Sequence, residues 1–123
     1  MEGILVIGHG SRSIDAKDIF FRIVSSLASR LPDKNIKGCF MEISSPYIEE
    51  TVEAMYSEGV RSLVALPYFL FPGIHIKEDI PEILERIRAK HPDISISFAK
   101  PLGFDEKLVD ILEHRAVEAI SEK

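Results

Sequence analysis

Apolar residues along the chain switch between two periods. Ile4, Leu5, Val6 and Ile7 form an unbroken β-prone run, the pattern of a strand buried on both faces. Helical spacing follows from Ile14 to Leu31, with Ile19/Phe20, Ile23/Val24 and Leu27/Ala28 on one side and Pro32-Asp33 closing the segment. A second strand is predicted over Ile36–Ile43, with Gly38 as its weak point. Ser45-Pro46 reads as an N-cap followed by proline at the first helical position, and Glu49 and Glu50 suit the positive end of the helix dipole. That helix carries Ile48, Val52 and Met55/Tyr56 and stops at Gly59. Val60–Leu66 is a third strand ended by Pro67. The next helix contains Ile80, Ile83/Leu84 and Ile87. Asp79 and Glu82 are placed to form its capping box, although its start could lie nearer His75. The alternating segment from Ile94 to Ala99 is a fourth strand. Asp105 caps a last helix bearing Leu108, Ile111/Leu112, Ala116 and Ile120.

The order βαβαβαβα predicts an α/β fold: a four-stranded parallel sheet with helices on both faces. The expected strand order is 2-1-3-4. The winding then reverses between strands 1 and 3, and ligands bind beyond the carboxyl ends of the strands at such a switch. The 123 residues suit one domain, and neither a linker nor a repeat divides them. With 46% hydrophobic and 28% charged residues, the chain holds material for one core.

Charge and cysteine content narrow the function. A net charge of -5 argues against a general nucleic-acid binder, which needs a basic face. A single cysteine, Cys39, excludes an internal disulfide and a cysteine-rich zinc site and reads as a buried thiol. No apolar run approaches the ~20 residues of a membrane span, and the opening residues do not resemble a leader, so a soluble cytoplasmic protein is expected.

The chemistry concentrates at the predicted switch point. His9 stands between Gly8 and Gly10 at the end of strand 1, and His75 follows Gly73 in the loop leaving strand 3. The strand order makes those ends neighbours. Glu42 falls at the end of strand 2, on the same rim. Imidazoles ligate divalent cobalt, nickel, iron or zinc and accept protons near neutral pH, and a nearby carboxylate can relay a proton. Two histidines without a third strong ligand suit transient handling of a metal. Gly8, Gly10 and Gly73 are expected to bring backbone N–H groups close to a ligand. Ser11 and the first turn of helix 1 could hold an anion, and Arg12, Lys17 and Lys77 add positive charge. The apolar run Tyr68–Ile74 is too long for a simple turn and reads as core, lid or interface. His91 at a helix end is read as a dipole partner, and His114 as a surface residue. The segment "GHGS" lacks the glycine pattern of a dinucleotide fingerprint and the lysine of a P-loop.

The motifs "LVIGHGSR", "CFMEISSP" and "LPYFLFPGIHIKEDIP", in that order, resemble the small-form sirohydrochlorin chelatases. The resemblance runs from Ile4 to about Gly103. It implies ATP-independent insertion of Co²⁺, or Ni²⁺, into sirohydrochlorin by a homodimer with no tightly bound cofactor. His9 and His75 match the metal-handling histidines and Glu42 the acidic residue between them. Gly10, Ser11, Arg12, Ser44, Tyr47, Pro72, Gly73 and Ile74 belong to the segments that embrace the macrocycle. Two rival readings use the same residues. One is a histidine phosphatase or phosphotransferase, against which Gly8 stands where an arginine is expected. The other is a non-catalytic metal or tetrapyrrole carrier.

Overall fold

The computed structural model describes residues 2–122. In chain order the elements are β1 (Glu2–Gly8), α1 (Ile14–Arg30), β2 (Asn35–Phe40), α2 (Ile48–Ser57), β3 (Ser62–Pro67), α3 (Ile80–Lys90), β4 (Ser95–Phe98) and α4 (Glu106–Ser121). A π-helical turn, His75–Asp79, runs directly into α3. The strands form one parallel sheet in the order β2-β1-β3-β4, the order that the alternation predicts. β1 is central, with Ile7 opposite Cys39 on one side and Pro67 on the other. Its unbroken apolar run is explained by burial on both faces: Leu5, Val6 and Ile7 are all buried.

The two faces carry separate cores. On one, Phe20 and Val24 of α1 pack with Val6 and Phe40. On the other, α2 and α3 bring Val52, Met55, Ile80, Leu84 and Ile87 against Leu5, Ile7, Cys39, Leu63 and Ala65. Each such aliphatic side chain removed from water contributes about 1.5–3 kcal/mol before entropy is counted. Gly8 and Gly38 serve the first of these cores. A Cβ on either would come within 2.9 Å of the Phe20 ring, so these positions admit α1 to the sheet. Gly8 is therefore a packing residue, not the ligand approach expected of it. Burial pushes the Cys39 thiol up, as its inert structural reading requires.

Four local expectations are corrected. β2 ends at Phe40 instead of Ile43, because Ile43 takes a left-handed backbone (φ +74°) that no strand can contain. Helix α2 begins at Ile48 after N-cap Tyr47, not at Ser45-Pro46. The Pro46 carbonyl instead accepts the Phe40 N–H at 2.8 Å, and the Glu50 carboxylate accepts the Tyr47 N–H at 2.6 Å. Asp79 does not cap α3: its backbone is already helical, and its side chain bonds His75. Finally, α4 is capped by Asp105 as expected, yet it covers neither face of the sheet. None of its residues is buried, and Ile111, Leu112 and Ile120 are exposed. The sheet is thus covered by α1 on one face and by α2 and α3 on the other.

Candidate functional site

Three loops meet at the carboxyl edge of the sheet because hydrogen bonding continues past the strand ends. The Met41 N–H donates to the Gly8 carbonyl at 2.8 Å and the Glu42 N–H to the His9 carbonyl at 3.1 Å. Glu42 is thereby carried alongside His9. On the other side the Tyr68 N–H donates to the Ile7 carbonyl at 2.8 Å, which leads the aromatic loop past the same edge. Gly10 locks the first two loops together. Its φ is +120°, and a Cβ there would lie 1.9 Å from the Glu42 carbonyl oxygen, so only glycine fits. Ile43, next to Glu42, is β-branched with positive φ, a backbone state held by its surroundings at a cost of order 1–3 kcal/mol.

The predicted trio comes together. His9 Nε2 lies 2.9 Å from Glu42 Oε1. The His9 and His75 rings meet edge to face, with centroids 4.9 Å apart at 73°. One ligand atom from each of His9, Glu42 and His75 lies within 4.8 Å of the others. The cluster is open: the side chains of His9, Glu42 and His75 are 50%, 51% and 31% exposed. Two imidazoles and a carboxylate suit divalent cobalt, nickel, iron or zinc, and three protein donors leave coordination positions free. An ionised carboxylate only accepts hydrogen bonds. The contact with Glu42 therefore assigns a proton to His9 Nε2, and this proton must leave before that atom can ligate.

The remaining predicted residues frame the cluster. Ser11 and Ser44 bind each other: the Ser11 N–H donates to Ser44 Oγ at 3.3 Å, while Ser11 Oγ accepts the Ser13 N–H at 3.0 Å. The Ser11 N–H thus ties two loops together. Ser13 caps α1 by accepting the Ala16 N–H. Arg12 is exposed in the loop after His9. Pro72, Gly73 and Ile74 are exposed immediately before His75, and a Cβ on Gly73 would meet only open space. Tyr47 sits at the head of α2, bridged to Phe40.

Two residues of the site escape the sequence reading. Phe69 lies parallel to the His9 ring, with centroids 5.9 Å apart and planes within 4°, and edge-on to His75 at 6.5 Å. It was visible only as one member of an apolar run. Asp79 Oδ2 lies 2.7 Å from His75 Nδ1. The spacing i, i+4 from a histidine at a helix start was its available signal. Both His91 and His114 lie outside the cluster: His91 bonds Glu53 at 2.8 Å, and His114 is exposed on α4.

Comparison with known proteins agrees with this fold. The CbiX family model matches residues 3–119, past the point where the sequence motifs end. The sirohydrochlorin cobaltochelatase of Methanococcoides burtonii is 40% identical over 126 residues, covering 96% of both chains. The sirohydrochlorin ferrochelatase of Priestia megaterium is 31% identical over all of this chain but only 46% of its own. Among solved structures, the sirohydrochlorin chelatase SirB from Bacillus subtilis subspecies spizizenii, in complex with cobalt, superposes with a TM-score of 0.89 at 32% identity. That match covers 95% of this chain and 50% of SirB. The chain spans nearly the whole of the Methanococcoides relative and about half of the Priestia and Bacillus ones. On its motifs, its sheet order and these matches, the chain belongs to the CbiX family.

Proposed function

We propose that this chain inserts a divalent metal, cobalt first, into sirohydrochlorin without ATP. The observation that carries the reading is the convergence of His9, Glu42 and His75 to within 4.8 Å at an open sheet edge. Metal insertion needs ligands that hold an ion loosely and bases that take two protons from the macrocycle. In this reading His9 and His75 present the ion or accept pyrrole protons, and Glu42 is a third ligand or a proton relay. Gly10 shapes the loop that faces the macrocycle. Ser11, Arg12, Ser44, Tyr47 and the segment Pro72–Ile74 embrace it, with Arg12 available to a carboxylate. Nickel takes the same donor set and is a second substrate metal.

The reading extends to a homodimer acting in the cytoplasm. The unpartnered apolar side of α4 supports a dimer, and so does the length of SirB, half of which this chain covers. No helix among the described residues is long and apolar enough to cross a membrane.

The test is an absorbance assay without ATP. Sirohydrochlorin is mixed with Co²⁺, then with Ni²⁺, and the macrocycle spectrum is followed against a protein-free control. Faster conversion that is lost in His9→Ala is the expected result. Macrocycle binding without conversion would make the chain a carrier. Neither binding nor conversion would overturn the reading and send the site to a phosphate-ester assay.

A further inference from the structure

We infer that Asp79 is a positioning residue for His75, an inference that rests on the chelatase reading above. The turn that holds both residues is unusual. His75–Asp79 is one π-helical turn, closed by the Ile80 N–H donating to the His75 carbonyl. π-Turns are rare and concentrate at functional sites. Asp79 has no capping duty: its φ and ψ are helical (-68°, -49°), and its side chain makes no cap hydrogen bond. Among the described residues its carboxylate hydrogen-bonds His75 Nδ1, at 2.7 Å.

That contact settles the chemistry of the His75 ring. The carboxylate accepts, so Nδ1 carries the proton and the lone pair is left on Nε2. The ring plane is also held, set between Asp79 behind it and the edge-on His9 and Phe69 rings beside it. His75 therefore offers one ring nitrogen as a ready ligand without first losing a proton. His9 also has a carboxylate at one ring nitrogen, Glu42 at Nε2, but that carboxylate is itself in the ligand trio and is drawn toward the metal with it. The two histidines thus differ in their carboxylates: that of His75 stands outside the trio and is free to fix its ring while the ion is held. Carboxylates behind ligating histidines fix tautomer and orientation, and losing one costs ~10–100-fold in metal affinity or activity.

The test pairs cobalt titration of the macrocycle-free protein, read by calorimetry, with steady-state insertion at varied Co²⁺ and varied sirohydrochlorin. Asp79→Ala is expected to raise both Kd and KM for cobalt by ~10–100-fold while leaving KM for sirohydrochlorin unchanged. Asp79→Asn, whose amide oxygen can accept the same Nδ1–H, is expected to restore most of the loss. In a His75→Ala background, Asp79→Ala is expected to weaken cobalt binding no further. Unchanged cobalt affinity in Asp79→Ala would overturn the inference. So would an equal loss in the His75→Ala background, or no rescue by Asn. Should Asp79→Ala fail to fold by circular dichroism, Asp79→Glu, which moves the carboxylate by one methylene, carries the same comparison. The two readings fail separately. Absence of insertion by the unmodified chain sinks the chelatase function, whereas insertion with unchanged cobalt dependence in Asp79→Ala sinks only the role of Asp79.

Discussion

A single methyl group at position 10 would collide with the carbonyl of the residue that supplies the site's carboxylate. Gly10→Ala is therefore expected to move Glu42 away from His9 and to destabilise the fold by about 1–3 kcal/mol, since the φ of +120° is also lost. Cobalt binding and thermal melting of the same variant check both effects, and unchanged cobalt binding would contradict the locking role. His9→Ala and His75→Ala remove exposed or half-exposed side chains, so stability should move by no more than ~0.5 kcal/mol. Insertion rates should fall by ~10²–10⁴-fold in each. Circular dichroism with the absorbance assay separates the two quantities, and a normal rate in both variants would remove the site. At this scale the sequence was informative wherever a residue type is chemically rare. His9 and His75 were legible because few side chains handle metals and protons, whereas Glu42, one of 20 acidic residues, was legible only by its place at the end of strand 2. Phe69 was not, because a phenylalanine in an apolar run has no chemical mark distinguishing a site wall from core.

Elements hold the site from a distance. The amino edge of the sheet, opposite the cluster, is clamped by side chains from α2, α3 and the residues before β3 and β4. The Tyr56 ring stacks on His91 with centroids 4.0 Å apart, the Arg61 guanidinium lies 3.5 Å from the Tyr56 ring centre, and the Tyr56 hydroxyl donates to Asp93 at 2.8 Å. Hydrogen bonds from His91 and Lys90 hold the Glu53 carboxyl below its ordinary range, and the Tyr56 hydroxyl does the same for Asp93. A folded-state value below the unfolded one contributes stability above the ordinary carboxylate range, and that contribution is lost as pH falls through the folded value. The melting temperature should thus decline below about pH 4, and the decline should be shallower in Glu53→Gln. Equal slopes for the two proteins would deny Glu53 that role. Beneath the clamp, Leu84 of α3 is fully buried against the sheet, and Leu84→Ala should cost about 2–5 kcal/mol by denaturant titration.

At the scale of the whole molecule, α4 stands apart. Its Ile111, Leu112 and Ile120 are exposed, and a cavity of about 320 Å³ lies between Leu108, Ile111 and Leu112 of α4 and Leu70, Phe71 and Phe104 of the preceding loops. Two backbone hydrogen bonds tie those loops together, from the Leu102 and Gly103 N–H groups to the Phe69 and Leu70 carbonyls, both at 2.8 Å. An apolar surface of this kind belongs to an interface more often than to open solvent. Light scattering is expected to give a dimer, and Ile111→Glu with Leu112→Glu a monomer. A monomer from the unmodified chain at every concentration would remove the dimer.

The sequence by itself determined the alternation of strands and helices; the strand order and the shared rim of His9, Glu42 and His75 were expectations from it that the sheet bears out. Period-2 and period-3.6 burial are written locally, and the right-handed crossover rule narrows the topologies they allow to a few. Only the tertiary structure decided where β2 stops, that Asp79 serves His75 and does not cap α3, that Gly8 answers to Phe20 and Gly10 to the Glu42 carbonyl, and that α4 lies off the sheet. Apart from the i, i+4 pair of His75 and Asp79, each of these depends on a contact between residues whose partners the local pattern does not name. A glycine, a carboxylate or an apolar helix face has the same local pattern whichever neighbour it meets, and the fold supplies the neighbour.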